Sequence, residues 1–343
     1  MARAHGSYPW CRGFKSLLRY PDPASAGFVL SKGCLMLRFI VNPAAKSWRG
    51  RSCMEKIAAA LDAASIPYEA VETSRPKETG ELAEQLSVKE DTEILGIIGG
   101  DGTLDELVDG NTALYPPVFY VPFGSGNDFA RGIGLKVHSD NAPQLAVDMS
   151  ALTPKPVDIG LALAKGQEAR RFIVSGGIGY DAAICWDLEK GKVKQFLNKI
   201  RLGRLCYLVI GIKNMFSCPL INGELVINDG EETIPIKNLA FMSAQNLPFE
   251  GGGFHFAPRA LAHDGLIDLC IVMPRNHAMF IFYLFCSLFK GSHIKRKGVR
   301  YIQCRSARLS LQQPLYYHTD GEIGEATSEI EFRTDEASIR VMQ

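Results

Sequence analysis

The sequence predicts an α/β domain followed by a β-sandwich. Apolar strands and amphipathic helices alternate between residue 36 and about residue 154, and strand-like runs separated by turn residues then replace them. Alternation favours a mostly parallel sheet that binds ligands at the carboxyl ends of its strands, whereas successive short strands favour an antiparallel sheet or sandwich. With 343 residues and 46% hydrophobic content, the chain can fill two cores.

The α/β pattern begins with the apolar strand LRFIVN at 37–42. Helix formers with apolar residues at helical spacing follow at 51–65, and the strand YEAVET at 68–73 completes a βαβ unit. The alternation then continues through a helix at 79–88, the strand EILGIIGG, a helix from Thr103, the strand PVFYVPF and a helix from Asn127.

The second half is rich in strand-like runs. These runs are RRFIVSGG, PLINGELVIND, TIPIKNLAFMSAQN, LIDLCIVMP, VRYIQC, ARLSLQQ, LYYHTDGE, SEIEFR and ASIRVM. A mostly helical insertion at 187–216 interrupts them. We therefore expect an α/β domain over 36–154 and a β-sandwich over 155–343, with a C-terminal tail that could return to the first domain.

Residues 1–35 are expected to form a poorly structured extension. Because Met36 opens the first convincing strand, the functional chain could begin there, or the extension could be a mispredicted start. We find no apolar core before a small-residue cleavage site and therefore predict no signal peptide.

Composition excludes several classes of protein. The net charge of +1 provides no global field for nucleic acid. The nine cysteines contain no C-x-x-C pair, which indicates neither a disulfide framework nor a zinc site and favours a reducing cytoplasm. The longest apolar stretch, at 279–289, is about half the roughly 20 residues that a transmembrane helix needs.

Two glycine-rich turns follow neighbouring strands. GGDGTLDELVDG at 99–110 and GSGNDFAR at 124–131 each place glycines between an apolar strand and a helix start. Glycine lets a phosphate approach the backbone closely, and the helix N-terminus favours an anion. Each turn alone is also compatible with a capped βα turn without a ligand. The loop VNPAAKSWRGRS at 41–52 adds Lys46, Arg49 and Arg51, although alone it is equally typical of a solvated basic loop.

The combination of NP, GGDGT and GSGNDFAR, with GGGFHFAPRALAHDGLIDL at 251–269 and HTDGE at 318–322, resembles the diacylglycerol kinase catalytic domain family. This family includes soluble bacterial lipid kinases and the sphingosine and ceramide kinases. GGDGT alone is shared with NAD kinases and phosphofructokinases. The resemblance implies an NAD kinase-like α/β nucleotide-binding domain, a β-sandwich lipid-binding domain, and transfer of the ATP γ-phosphate to a lipid hydroxyl with Mg²⁺.

The resemblance also implies roles for individual residues. Asp101 and Asp128 would lie near the transferring phosphate and its magnesium, and Glu322, with Asp320 beside it, would accept the proton. A structural magnesium site would use the Asp264 side chain and the carbonyls of Leu261 and Leu266. The nucleotide contacts would be Asn42, Pro43, Ala44, Ala45, Lys46, Thr73, Gly100, Asp101, Gly102, Thr103, Leu104, Asp105, Glu106 and Ser125.

General chemistry supports these roles independently. Phosphoryl transfer depends on positioning and charge neutralisation, so carboxylates beside a phosphate cradle imply a metal ion between them. The attacking hydroxyl also needs a proton acceptor, and a nearby carboxylate can serve. The sequence departs from the family at Asp105 and Asp109, where Asn is usual, and near Ala45 and Lys46, where glycine is more usual. Asp105 adds charge beside the phosphates, which could raise the Mg²⁺ requirement or weaken ATP binding.

We expect a kinase that converts diacylglycerol to phosphatidic acid at the membrane surface, in the cytoplasm and peripherally associated. The apolar and basic segment at 277–300 could rest on anionic headgroups, or it could be a core helix with a solvated end. The alternatives are a sphingoid or other lipid kinase, a kinase for a soluble acceptor such as NAD, and a catalytically weakened lipid-binding regulator. The sequence leaves the oligomeric state open, and a homodimer is possible.

Overall fold

The computed structural model describes residues 36–190, 218–288 and 291–343. The predicted extension at 1–35 and nearly all of the predicted insertion at 187–216 lie outside the described residues. Two sheets, of ten and six strands, form the framework of these ranges. None of the helices in these ranges combines the length and the apolar character needed to span a membrane.

Four parallel strands form the first part of the larger sheet, in the order β2-β1-β3-β4. They are β1 (Met36–Val41), β2 (Tyr68–Glu72), β3 (Thr92–Gly99) and β4 (Val118–Pro122). The helices around them are α1 (Ala45–Trp48), α2 (Gly50–Ala63), α3 (Thr79–Ser87), α4 (Asp101–Val108), α5 (Asp128–Gly132) and α6 (Ala142–Val147). Their apolar faces and these strands share one core, which is why the strands are nearly continuous apolar runs.

The remaining strands are antiparallel to one another and form the sandwich. The larger sheet continues with β5 (Pro154–Ala164), β6 (Arg170–Phe172), β8 (Ile221–Ile227), β9 (Glu232–Leu239), β13 (Ser306–Leu315) and β16 (Thr327–Met342). The smaller sheet contains β7 (Ser175–Gly179), β10 (Phe241–Gln245), β11 (Ile267–Val272), β12 (Val299–Cys304), β14 (Tyr317–Thr319) and β15 (Glu322–Ile323). Two helices accompany them, α7 (Tyr180–Lys190) and α8 (His277–Leu288).

Side chains of the two sheets pack against each other in a second core. Buried and exposed residues alternate along much of β9 and β13, as expected for strands with one face on a core. Phe172 and Phe332 meet edge to face in this core, with ring centroids 6.2 Å apart. The predicted α/β domain with a C-terminal antiparallel sandwich is confirmed.

The last strand joins the two parts of the molecule. β16 pairs with β5 and β13 in the sandwich, and near its end Val341 pairs in parallel with Val118 of β4. The larger sheet therefore runs from the α/β part into the sandwich. This continuous sheet fixes the position of the sandwich loops relative to the carboxyl ends of β1, β3 and β4.

Candidate active site

The predicted loops all leave the same edge of the sheet. Val41 at the end of β1 lies beside Ile98, and Gly99 at the end of β3 lies beside Pro122 at the end of β4. The Asn42 loop, the GGDGT turn and the GSGND turn therefore begin as neighbours. Asn42 links two of them, since its Nδ2 donates to Thr103 Oγ1 at 3.0 Å and its Oδ1 accepts the Ala44 N–H.

The two glycine-rich turns touch through their backbones. A Cβ on Gly124 would lie 2.7 Å from the Cα of Gly100, so only glycine permits this approach. The Asp101 carboxylate then accepts the N–H groups of Asp128 and Phe129, at 3.0 and 3.2 Å. Asp101, which begins α4, thereby caps α5 and joins the two turns. The sequence predicts helix starts at Thr103 and Asn127, but the helices begin at Asp101 and Asp128.

A cavity of about 440 Å³ opens above this edge. Eleven of the predicted residues line it: Asn42, Ala44, Ala45, Lys46, Gly100, Gly102, Thr103, Asp105, Glu106, Ser125 and Glu322. Gly124, Asp109, Pro76 and Lys77 complete the lining. Lys77 was absent from the predicted set, although the rule that ligands bind beyond the carboxyl ends of strands applies equally to the loop after β2.

Other predicted residues lie outside this lining: Pro43, Thr73, Asp101, Leu104, Asp128 and Asp320. The Leu104 side chain is fully buried in the first core, so only its backbone is available to a nucleotide. Asp128 is buried, pairs with Arg131 and accepts the N–H of Gly252 at 2.7 Å. Asp128 thereby connects the GSGND turn to the GGG loop of the sandwich.

Glu322 reaches the cavity from the sandwich on a tight hairpin. Residues Asp320 and Gly321 form the turn between β14 and β15, both with positive φ. The Asp320 carboxylate accepts the backbone N–H groups of Ile173, Val174 and Ser175 at 2.6 to 2.9 Å, which fixes this turn against the strands below it. The Glu322 side chain is exposed, and the backbone carbonyl of Glu322 accepts a hydrogen bond from the Arg170 guanidinium at 3.3 Å.

Carboxylates crowd this part of the cleft. Asp105 is only 6% exposed. Burial, together with the neighbouring carboxylates of Asp320, Asp109 and Glu322, raises the pKa of Asp105 well above its ordinary value. Burial also raises the pKa of Asp320 to about 7, although its three backbone N–H bonds oppose this shift. Clustered acids of this kind, facing a cavity, are typical of sites that bind a divalent cation.

The second predicted metal site lies on the surface of the sandwich. Asp264 and Leu261 are exposed, and Asp264 Oδ1 accepts the Leu266 N–H at 3.1 Å. Asp158, which the sequence analysis did not predict, also lies here, and its carboxylate accepts the N–H of Gly265 at 2.8 Å. Burial and the nearby Asp264 raise the pKa of Asp158. Two carboxylates therefore face this turn.

Comparison with known proteins assigns both halves of the chain. The diacylglycerol kinase catalytic domain family matches residues 36–162, and the YegS C-terminal NAD kinase beta sandwich-like domain matches residues 181–342. The chain belongs to the diacylglycerol kinase catalytic domain family. The predicted family resemblance is thus confirmed, over most of the chain.

Relatives agree with this family, and a solved structure agrees with the fold. YtlR of Bacillus subtilis (strain 168) is 28% identical over 292 residues, which cover 83% of this chain and 92% of that protein. A protein of the same organism named diacylglycerol kinase is 28% identical over 229 residues, or 66% of this chain and 70% of the relative. A crystal structure of a diacylglycerol kinase from Bacillus anthracis str. Sterne superposes with a TM-score of 0.66 at 21% identity, covering 90% of this chain and 96% of that one. This structure shares the fold.

Proposed function

We propose that this member of a lipid-kinase family transfers the γ-phosphate of ATP to diacylglycerol and forms phosphatidic acid. One feature of the molecule carries the proposal: Glu322 of the sandwich lines the same cavity as the two glycine-rich turns of the α/β domain. A phosphate held by the turns and an acceptor hydroxyl entering along the sandwich would therefore meet beside a carboxylate. The name of the Bacillus subtilis relative supports diacylglycerol as the acceptor.

The residues at the cavity fit a nucleotide and a divalent cation. Gly102 lines the cavity and has open space beside it, since a Cβ there would meet no atom within 4 Å, and Lys46 and Lys77 supply positive charge. Burial first, and then repulsion by neighbouring carboxylates, raises the pKa of Asp105, and a bound cation would relieve that repulsion. When bound, ATP supplies the phosphoryl group and Mg²⁺ neutralises charge on it.

The chain's own residues divide the remaining work. Glu322 accepts the proton of the lipid hydroxyl as it attacks. Asp105, Asp109 and Glu322 line the cavity and can face a metal ion, whereas the Glu106 carboxylate, also in the lining, accepts the Thr79 hydroxyl at 2.6 Å. The Asp101 carboxylate accepts two backbone N–H groups of α5, and the Asp128 carboxylate accepts the Gly252 N–H and pairs with Arg131. We therefore assign both residues primarily to positioning the two turns. The Asp264 side chain and the carbonyls of Leu261 and Leu266 would hold a structural Mg²⁺, and Asp158 at the same turn would add a second carboxylate.

A surface beside α8 supports contact with a membrane. Phe280 and Tyr283 are buried in a third apolar cluster, whereas Ile281, Phe282 and Phe285 are 40%, 46% and 57% exposed. Exposed basic residues follow the helix, namely Lys295, Arg296, Lys297 and Arg300. Lys290, another residue of the predicted basic cluster, lies outside the described residues. Apolar side chains next to positive charge suit a bilayer with anionic headgroups.

Vesicle sedimentation tests this surface. Phe282→Ser should reduce binding to vesicles that contain anionic lipid, whereas Leu114→Ser, at an exposed leucine of the α/β part, should leave it unchanged. Equal binding of the wild type to neutral and anionic vesicles would contradict the role of the basic residues.

Phosphorylation of a lipid panel tests the proposed reaction. The purified chain is given labelled ATP and Mg²⁺ with micellar diacylglycerol, micellar sphingosine or soluble NAD, and labelled phosphatidic acid is the expected main product. Glu322→Gln should abolish transfer, while Glu325→Gln, at an exposed residue near the same hairpin, should retain it. Label on sphingosine or NAD would identify another acceptor. ATP binding without any labelled product would favour a catalytically weakened lipid-binding regulator, an alternative that the extra negative charge of Asp105 in the cavity supports.

A further inference from the structure

Three potential metal ligands meet on the face of the smaller sheet that points away from the second core, apart from the cavity. Asp181 begins α7, Glu250 follows β10, and His318 lies in β14. One ligand atom from each lies within 4.8 Å of the other two. His318 Nε2 is 3.4 Å from both Asp181 Oδ2 and Glu250 Oε1. Both distances are long for hydrogen bonds and close to the ligand separation around a tetrahedral ion with bonds of roughly 2.1 Å.

Two of the three atoms that face the centre of this cluster make no hydrogen bond within the described residues. They are Asp181 Oδ2 and His318 Nε2, which are inaccessible to solvent and contact each other only at 3.4 Å. The Asp181 side chain is 8% exposed and that of His318 is 1% exposed. Unsatisfied polar atoms this deeply buried are costly, and a metal ion between them would satisfy both.

Neighbouring groups hold the carboxylates in the orientation that ligation requires. The Ala182 N–H donates to Asp181 Oδ1 at 2.8 Å and leaves Oδ2 for the centre. Ser243 and Gln245 both donate to Glu250 Oε2, which leaves Oε1. Outer hydrogen bonds that orient the ligands are typical of metal sites in proteins. Gly177 leaves room beside them, because a Cβ there would lie 1.9 Å from Asp181 Oδ2.

Charge also favours a cation at this point. Two carboxylates and a neutral imidazole carry two negative charges, and within the described ranges no lysine or arginine forms an ion pair with Asp181 or Glu250. Uncompensated buried charge is strongly unfavourable.

We propose that Asp181, Glu250 and His318 form a binding site for a divalent transition metal, with Zn²⁺ as the best match. One imidazole nitrogen and two carboxylate oxygens suit zinc, whereas Mg²⁺ prefers six oxygen ligands. A fourth position remains for water. The site is separate from the proposed nucleotide cavity and does not depend on the proposed reaction.

The competing arrangement is a metal-free hydrogen-bonded triad. The Gly321 N–H points at His318 Nδ1 at 3.3 Å, a contact that suits a ring protonated at Nε2. Metal ligation at Nε2 instead leaves the ring proton on Nδ1. A protonated Nδ1 cannot accept the Gly321 N–H, so the 3.3 Å contact would lengthen. Since Gly321 precedes Glu322, zinc binding would also act on the hairpin that carries the proposed base.

Metal analysis of tag-free protein distinguishes the two arrangements. After dialysis against Zn²⁺ and desalting, we expect one zinc ion per chain in the wild type, in Glu322→Gln and in His263→Gln, a matched control at an exposed histidine. Asp181→Asn and His318→Gln should lose this zinc while retaining the wild-type circular dichroism spectrum. A wild type without zinc, or a His318→Gln variant that keeps it, would overturn the proposal.

A spectroscopic measurement on the wild type tests the site even if the variants fail to fold. Wild-type protein loaded with Co²⁺ should show the intense visible absorption of a tetrahedral site, and Zn²⁺ should displace it. Weak absorption typical of octahedral Co²⁺, or no absorption above that of free Co²⁺, would contradict the site.

Discussion

Replacing Asp105 by asparagine should tighten the binding of metal-free ATP. The carboxylate is nearly buried in the cavity lining and repels other acids there. Asn has almost the same shape but no charge, so Asp105→Asn removes one negative charge from the phosphate site. The same change is expected to raise the melting temperature, because it relieves the repulsion by Asp320 and Glu322.

The size of the effect follows from the cavity dimensions. A cavity of about 440 Å³ corresponds to a sphere roughly 9 Å across, so a phosphate at its centre lies roughly 5 Å from a carboxylate on the wall. At that separation two unit charges repel by about 1 kcal/mol in bulk water and by about 3 kcal/mol at an effective dielectric constant of about 20. The expected gain in affinity is therefore roughly 5-fold to 150-fold.

Calorimetric titration with ATP in the presence of a chelator measures this gain. The gain should shrink when Mg²⁺ is added, because the cation then compensates the carboxylates. It should also shrink at lower pH, where Asp105, with its raised pKa, takes up a proton. Asp229→Asn, in the exposed hairpin between β8 and β9, is the matched control and should bind as the wild type does. An Asp105→Asn variant that binds metal-free ATP no more tightly than the wild type would refute the electrostatic reasoning.

Further predictions concern the turns and the junction between the two parts. Because the pKa of Asp320 is raised from 3.8 to about 7 on folding, the stability that it contributes is present below about pH 4 and is lost as the pH rises through about 7. Urea unfolding across this range should show a smaller decline for Asp320→Asn; an equal decline would exclude Asp320 as its source. Gly124→Ala should lower the melting temperature because its Cβ meets Gly100, whereas Gly102→Ala should fold normally and bind ATP more weakly; normal folding of Gly124→Ala would show that the turns can separate. Arg171 donates to the carbonyls of Val108 and Gly110 and pairs with an acid of β16, so Arg171→Ala should lower the unfolding free energy by about 3 kcal/mol. A change below about 1 kcal/mol in urea unfolding would show that solvent replaces these bonds.

Local sequence patterns predicted the α/β half accurately because its signals are short-range. The strand predicted at 37–42 is Met36–Val41, and the helix predicted at 79–88 is Thr79–Ser87. The glycine turns were identifiable because a helix start and a close backbone approach both require particular residue types at fixed spacing. Those constraints act within a few residues, so they are visible in one sequence.

Contacts between residues far apart in the chain could not be predicted from local sequence patterns. Lys77 lies at the cavity because the loop after β2 reaches the edge used by the glycine turns. Asp181, Glu250 and His318 are separated by 69 and 68 positions along the chain, and only strand pairing in the sandwich brings them together. Likewise, the GGDGT motif suggested a metal role for Asp101, whereas its hydrogen bonds to α5 depend on how β3 and β4 pair.

Labelled phosphate transfer to diacylglycerol, compared between the wild type and Glu322→Gln, tests the central claim most directly. The account predicts labelled phosphatidic acid with the wild type and none with Glu322→Gln, while both proteins bind ATP equally. Near-normal turnover by Glu322→Gln, or no labelled lipid from the wild type with any acceptor of the panel, would contradict it.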